Sequence, residues 1–235
     1  MELNEPVNNE LEAKKLKVIM NGGANKITAL FLDIGGVLLT AGWDRVARKK
    51  AYAHFKLDHD VTEDRHNITV ETFELGKISL DEYLQRVVFC DEQEFASEEF
   101  KEFMFAQSTA YPEMISLVTE LKKEHSLKIV IVSNESRELN EYRAKKFGLD
   151  KLADCFISSS FVRLRKPDTD IFKLALDIAQ VVPKQIVYVD DQIMFVKLAE
   201  HFGINTIHYT GFESTVTKLA SFGLNINNYS HKEAG

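Results

Sequence analysis

Four short runs of the chain are apolar almost without interruption: ITALFLD (27–33), LKIVIVS (127–133), QIVYVD (185–190) and NTIHYT (205–210). A strand with one wet face alternates, whereas a strand buried on both faces reads as a continuous run. These four therefore predict parallel strands covered by helices on both sides. DCFISS (154–159) is a fifth, weaker candidate. Between the strands, apolar residues recur at helical spacing. Residues 112–125 carry Met114, Ile115, Leu117, Val118 and Leu121, residues 136–147 stop before Gly148, Asp168 can cap a helix over 169–179, and 193–202 closes at Gly203. Alternating strand and helix predicts an α/β fold with a doubly wound parallel sheet. From 42 to 109 the alternation lapses into helical patterns alone: WDRVARKKAYAHF, a stretch around 62–75, SLDEYLQRVVF and SEEFKEFMFAQ, with a turn at Gly76-Lys77. This predicts an all-helical subdomain inserted between the first and second strands.

The 235 residues suffice for one sizeable domain with such an insert, and 45% hydrophobic residues can supply its core. Lys and Arg number 29 against 36 Asp and Glu, a net charge of −7, which argues against a nucleic-acid partner. Cys90 and Cys155 have no CxxC spacing and read as two buried thiols in a reducing compartment. The scattered histidines suggest no zinc site. The first twenty residues lack a basic start followed by an apolar stretch, and no window has the length of a membrane span. The expectation is a cytoplasmic protein that binds no membrane, with a polar extension at 1–24 and a tail at 225–235.

In open α/β sheets, ligands sit beyond the carboxyl ends of the strands. The first strand ends in Asp33, the second in Ser133-Asn134 and the third long run in Asp190-Asp191, while Arg165-Lys166-Pro167 follows the weak strand. Each has an ordinary explanation alone: an N-cap, a turn, a solvated loop lysine. Together they carry the chemistry of phosphoryl transfer to a carboxylate. Asp33 can attack phosphorus. Asp190 and Asp191 can join Asp33 around a magnesium ion, to which Gly35 can add its backbone carbonyl. Gly35 and Gly36 allow a tight turn whose N–H groups face the phosphate, with Ser133 and the adjacent Asn134 as further binders. Lys166 can neutralise both the nucleophile and the transferring group.

This pattern resembles the haloacid dehalogenase (HAD) superfamily over roughly residues 26–223. The first motif is Asp33-Ile34-Gly35-Gly36-Val37, the second VIVSN with Ser133, the third RKPDTDIF with Lys166 and the fourth VYVDD. The resemblance implies a Rossmann-like core at 25–41 and 110–224 and a helical cap at 42–109 that closes over the site and helps choose the substrate. It implies a Mg-dependent phosphatase of a small phosphorylated metabolite. It also implies Asp191 as the direct metal ligand from the acidic pair. Two positions depart from the pattern. Family phosphatases place a second Asp, the general acid and base, where this chain has Gly35, and an Asp or Asn is frequent where it has Phe195. Without that acid, substrates with good leaving groups such as sugar 1-phosphates are favoured. A haloacid dehalogenase and a catalytically impaired phosphometabolite-binding protein are the alternatives. Around the insert, Asp44 reads as a helix N-cap, Trp43 as packing between cap and core, Arg45 as solvated, Phe103 and Phe105 as cap core, and Tyr111-Pro112 as a hinge.

Overall fold

The computed structural model describes residues 26–226. Its centre is a five-stranded, wholly parallel sheet of β1 (Ala29–Leu32), β2 (Lys128–Ser133), β3 (Cys155–Ser158), β4 (Ile186–Asp190) and β5 (Asn205–His208), in the order β3-β2-β1-β4-β5. The chain steps outward from β1 to β3, then returns to the other side of β1. Strand order thus reverses between β1 and β4, the place where such sheets bind ligands. Leu32 lies opposite both Ile131 and Val189, so Asp33 and Asp190 leave the sheet level with one another.

Both faces are buried, which is why the strands carry no polar alternation. Leu30, Leu32, Ile129, Ile131, Val187 and Val189 pack beneath α5 (Pro112–His125). Phe31, Val130, Val132 and Tyr188 pack beneath α9 (Asp170–Ala179). Helices α6 (Arg137–Lys146) and α10 (Ile193–Glu200) complete the expected pattern.

Residues 45–106 hold only helices: α1 (Arg45–His54), α2 (His59–Glu74), α3 (Leu80–Val87) and α4 (Ser97–Ala106). They bury a cluster of their own, with Tyr52, Phe73, Tyr83, Leu84, Phe100 and Met104 at its centre. Leu139 of α6 joins this cluster, so the insert is packed onto the sheet domain as well as tethered to it. Polar contacts continue that seam: Glu74 pairs with Arg165 at 2.7 Å and the Glu138 carboxylate accepts from Leu80 N at 2.9 Å. Gly76 sits in the left-handed region (φ +62°), and a Cβ there would lie 2.4 Å from the Ser160 carbonyl oxygen.

Several expectations change. Phe103 and Phe105 are only half-buried at the insert's edge, and the inward positions of α4 are Phe100 and Met104. Phe105 instead stacks on Tyr142 of α6 at 4.6 Å. Cys90 is exposed past the end of α3, and Cys155 is half-buried where the edge strand β3 begins, so the pair is not two buried thiols. Asp168 does accept from Asp170 N, at 2.9 Å, but the residue in the N-cap position of α9 is Thr169. Three helices have no forecast: α7 (Leu149–Leu152), α8 (Ser159–Val162) and α11 (Phe212–Ser221). The first two are single turns. In α11 only Thr215 and Leu219 are buried, too few for a visible stripe. The extension at 1–24 lies outside the described residues, as does the tail at 225–235 apart from Asn225 and Ile226.

Two glycine substitutions separate conformational strain from docking. Gly148 has φ +69° with nothing within 4 Å of an added Cβ, so Gly148→Ala should cost only the left-handed penalty, about 1–2 kcal/mol. Gly76→Ala carries the same penalty plus a backbone clash, so it should lower the urea midpoint further. Equal midpoints for the two variants would show that the insert is not seated through Gly76.

Candidate active site

The centre of the site is a buried ammonium. Lys166, 1% exposed, places Nζ 2.6 Å from Asp190 Oδ2, 3.2 Å from the Tyr188 hydroxyl and 3.4 Å from Asp33 Oδ2. Its fourth neighbour is the ring of Phe195, whose centroid lies 4.9 Å away. The residue that departs from the acidic pattern of the fourth motif thus offers the cation a π face. Burial alone would pull the Lys166 pKa down, but Asp33 and Asp190 outweigh it and hold the value above the usual range.

Asn134 fixes this lysine by its backbone. The Asn134 Oδ1 accepts from Lys166 N and its Nδ2 donates to Lys166 O, both at 2.8 Å. Its amide is therefore engaged at both ends with the Lys166 backbone, which leaves one N–H of Nδ2 for the expected phosphate role. Asp190 is committed as well. Its Oδ2 accepts from Lys166 and Tyr188, and its Oδ1 from Gln192 N at 2.7 Å. Asp191 is half-buried, and among the described residues its carboxylate accepts from Gln192 Nε2 at 2.9 Å and from its own backbone N–H.

Asp33 follows the last residue of β1. Its Oδ1 accepts from Ile34 N at 2.8 Å, and the Ser133 hydroxyl hydrogen-bonds its carboxylate. The two glycines that follow divide their work. Gly36 takes φ +74°, and a Cβ on it would sit 2.5 Å from the Asp191 carboxyl, so its bare backbone makes room for that carboxylate. Its N–H is spent on the Leu39 carbonyl at 2.7 Å, which removes it from the expected set of phosphate donors. The N–H of Gly35 has no partner among the described residues and remains as the free donor of this loop.

Asp33, Asp190 and Asp191 bring carboxylate oxygens within 4.8 Å of one another. One ammonium does not balance three carboxylates. Burial, then repulsion from Asp190, pushes the Asp33 pKa up to about 6 and raises that of Asp191. An all-oxygen donor set with surplus negative charge fits a hard divalent cation such as Mg2+.

Other site residues gave no signal in the sequence. Tyr188 reads as one more apolar strand position. Arg143 lies in a polar helix, yet it is fully buried, pairs with Glu135 and donates to the Thr40 carbonyl, strapping the loop after β1 to α6. Burial raises Glu135 to about 7 although Arg143 opposes the shift. Between insert and sheet domain lies a chamber of about 240 Å3 bordered by Trp43, Arg48, His66, Glu74, Asn134 and Glu135. Arg45 is exposed as expected, and Asp44 caps α1 by accepting from Ala47 N at 2.8 Å. Trp43 packs edge-on against Phe100 of the insert at 5.7 Å and also borders the chamber.

Residues 27–203 match the model of the haloacid dehalogenase-like hydrolases. The phosphorylated carbohydrates phosphatase of Thermotoga maritima is 24% identical over 194 residues, 77% of this chain and 83% of that one. The (S)-2-haloacid dehalogenase 4A of Burkholderia cepacia is 27% identical over 103 residues, so the match spans only 44% of either chain. Among solved structures, a HAD family enzyme of Bacteroides thetaiotaomicron superposes with a TM-score of 0.68 at 19% identity, covering 77% of this chain and 93% of that one. The same enzyme has been solved in complex with magnesium and inorganic phosphate.

The raised pKa of Asp33 makes a stability prediction for the metal-free protein. The folded state holds a proton there that the unfolded chain releases near pH 4, so stability should fall as pH rises from about 4 to about 6. Asp33→Asn removes the charge. In EDTA the variant should melt higher than the native protein at pH 7.5, with the gap closing towards pH 4. A lower melting temperature at pH 7.5 would contradict the charge surplus.

Proposed function

The chain belongs to the haloacid dehalogenase-like hydrolases, and we propose that it is a Mg2+-dependent phosphatase of a small phosphorylated metabolite. The observation that carries this reading is the sharing of Lys166 between Asp33 and Asp190, with the less encumbered Asp191 beside them. Asp33 is the nucleophile. It attacks phosphorus, the P–O bond to the alcohol breaks, and an aspartyl-phosphate forms on Asp33. Water then attacks that phosphorus, releasing inorganic phosphate and restoring the carboxylate. Lys166 offsets the negative charge on Asp33 and on the transferring group, and Ser133 and the Gly35 N–H donate to its oxygens. Asp33, Asp191 and the Gly35 carbonyl are the groups to hold Mg2+, which when bound supplies positive charge for binding and polarising the phosphate. Asp190 holds Lys166 in place. The helices of 42–109 act as a cap that excludes water during the reaction.

The surplus of carboxylates supports metal-assisted phosphoryl chemistry over halide displacement. The match to the phosphorylated carbohydrates phosphatase covers most of this chain, and among phosphorylated carbohydrates the sugar 1-phosphates best suit an enzyme without a second acid at position 35, since their anomeric oxygen is a better leaving group than an alkyl alcohol.

Two variants test the mechanism on a panel of phosphate esters with and without Mg2+. Asp33→Asn should abolish turnover, and retained activity would refute the covalent route. Gly35→Asp should supply the missing acid. A Cβ at 35 would lie 3.4 Å from the Ala41 Cα, an ordinary contact, and the residue does not occupy the left-handed region. A positioned acid is worth about 10²–10⁴-fold, so turnover of alkyl phosphates should rise by at least about tenfold and that of aryl phosphates far less. Equal effects on both classes would show that protonation of the leaving group does not limit the rate.

A further inference from the structure

The chamber between insert and sheet domain has a chemistry that none of the motifs supplies. Its one bordering guanidinium, Arg48, is already forked onto Glu63 at 2.9 and 2.6 Å, with its third nitrogen on the Trp43 carbonyl at 2.9 Å. Two of its carboxylates, Glu74 and Glu135, are paired with Arg165 and Arg143, and the third, Asp44, caps α1. The wall therefore offers no unpaired cation to a second anionic group, and the oxygen acceptors on it would repel one.

Two groups stand outside this saturation: the Ser136 hydroxyl, buried with no hydrogen-bond partner among the described residues, and His66. The His66 Nδ1 lies 2.8 Å from the fully buried Tyr83 hydroxyl, and Trp43 Nε1 lies 3.0 Å from the same oxygen. An indole N–H can only donate, so Tyr83 accepts from Trp43. Its own hydrogen then has one acceptor within reach, His66 Nδ1. That assignment leaves Nε2 carrying the ring proton, and Nε2 has no partner among the described residues. Burial, then the nearby Arg48, pushes the imidazole down to about 4, so it is neutral at physiological pH. A neutral donor held in one tautomer thus borders a chamber whose one guanidinium is paired and whose third carboxylate, Asp44, has no cation partner among the described residues.

We propose that this chamber recognises an uncharged, hydroxyl-bearing group, the polyol body of a sugar phosphate, through a hydrogen bond donated by His66 Nε2, and that it turns away substrates carrying a second anionic group. This rests on the phosphatase reading for its substrate, and names the class that the site selects. Trp43 and Tyr83 act as positioning residues for His66.

Trp43 is the sole tryptophan of the chain and borders the chamber, so its fluorescence reports occupancy without turnover. Titrating Asp33→Asn in Mg2+ with a hexose 1-phosphate and the matching hexose 1,6-bisphosphate should give a dissociation constant at least about tenfold lower for the monophosphate. In the native enzyme, His66→Ala should raise KM for the hexose 1-phosphate about tenfold with kcat little changed, and leave KM for p-nitrophenyl phosphate within about twofold. His66→Gln, which keeps an N–H at the same reach, should recover much of the loss. Tyr83→Phe, which frees the tautomer, should raise the same KM by a smaller factor. Val70→Lys places an unpaired ammonium on the chamber wall and should shift preference towards the bisphosphate about tenfold. Equal binding of the two esters, a His66→Ala effect of the same size on both substrates, or no shift with Val70→Lys would each overturn the proposal. Absence of turnover with the fluorescence preference intact would instead remove the phosphatase reading and leave the recognition site standing.

Discussion

A lysine at 1% exposure must find its charge partners inside the protein, and the site is arranged around that demand. Lys166 takes Asp190 as its tight partner and Asp33 as its looser one. The unequal split has a consequence. Asp190 is saturated by Lys166, Tyr188 and Gln192 N, so it serves as a support, while Asp33 is held more loosely, its Oδ2 3.4 Å from the ammonium. Asn134 holds the lysine backbone from β2, and Phe195 closes the last side with its ring. Four strand ends thus converge on one ammonium because register brings Asp33 and Asp190 level, and the reversal of strand order between β1 and β4 opens a crevice at that level.

The insert meets this platform through a half-buried ion pair as well as apolar packing, and further ion pairs stiffen the two sides of the seam. Glu74–Arg165 spans the seam, Glu135–Arg143 ties the loop after β2 to α6, and Arg48–Glu63 braces the insert behind Trp43. Such pairs gain little net stability once desolvation is counted, but removing one partner strands a charge and is costly. They suit a chamber wall. Each keeps a polar group in place while cancelling its field, so a neutral donor such as His66 can decide what enters.

Much of the fold was legible because it depends on local pattern. The strands ALFL, KIVIVS and IVYVD were visible as continuous apolar runs, since burial on both faces leaves no polar alternation. The helices of the insert were visible from periodicity, with boundaries within a few residues for α1, α3 and α4. Helix α11 escaped because two buried side chains make no stripe, and α7 and α8 because one turn carries no period. Phe103 and Phe105 pack against the insert's core only from half-buried positions, since aromatic character does not say which side of a helix faces inward.

For the site, the sequence determined which groups stand at the strand ends, Asp33, Ser133, Lys166, Asp190 and Asp191, and that position 35 lacks a carboxylate. Those follow from strand boundaries, which local composition encodes. What each group does with its hydrogen bonds was decided only in three dimensions. Asn134 became a clamp on the Lys166 backbone, and Gly36 gave its N–H to Leu39 and its empty Cβ position to Asp191. Arg143 and Glu135 became a buried pair, and Trp43, His66 and Tyr83 became a chain of hydrogen bonds. The physical reason is that a polar side chain's partner is chosen by desolvation and proximity across the fold, over separations such as the 103 residues between Thr40 and Arg143, where no local pattern can reach.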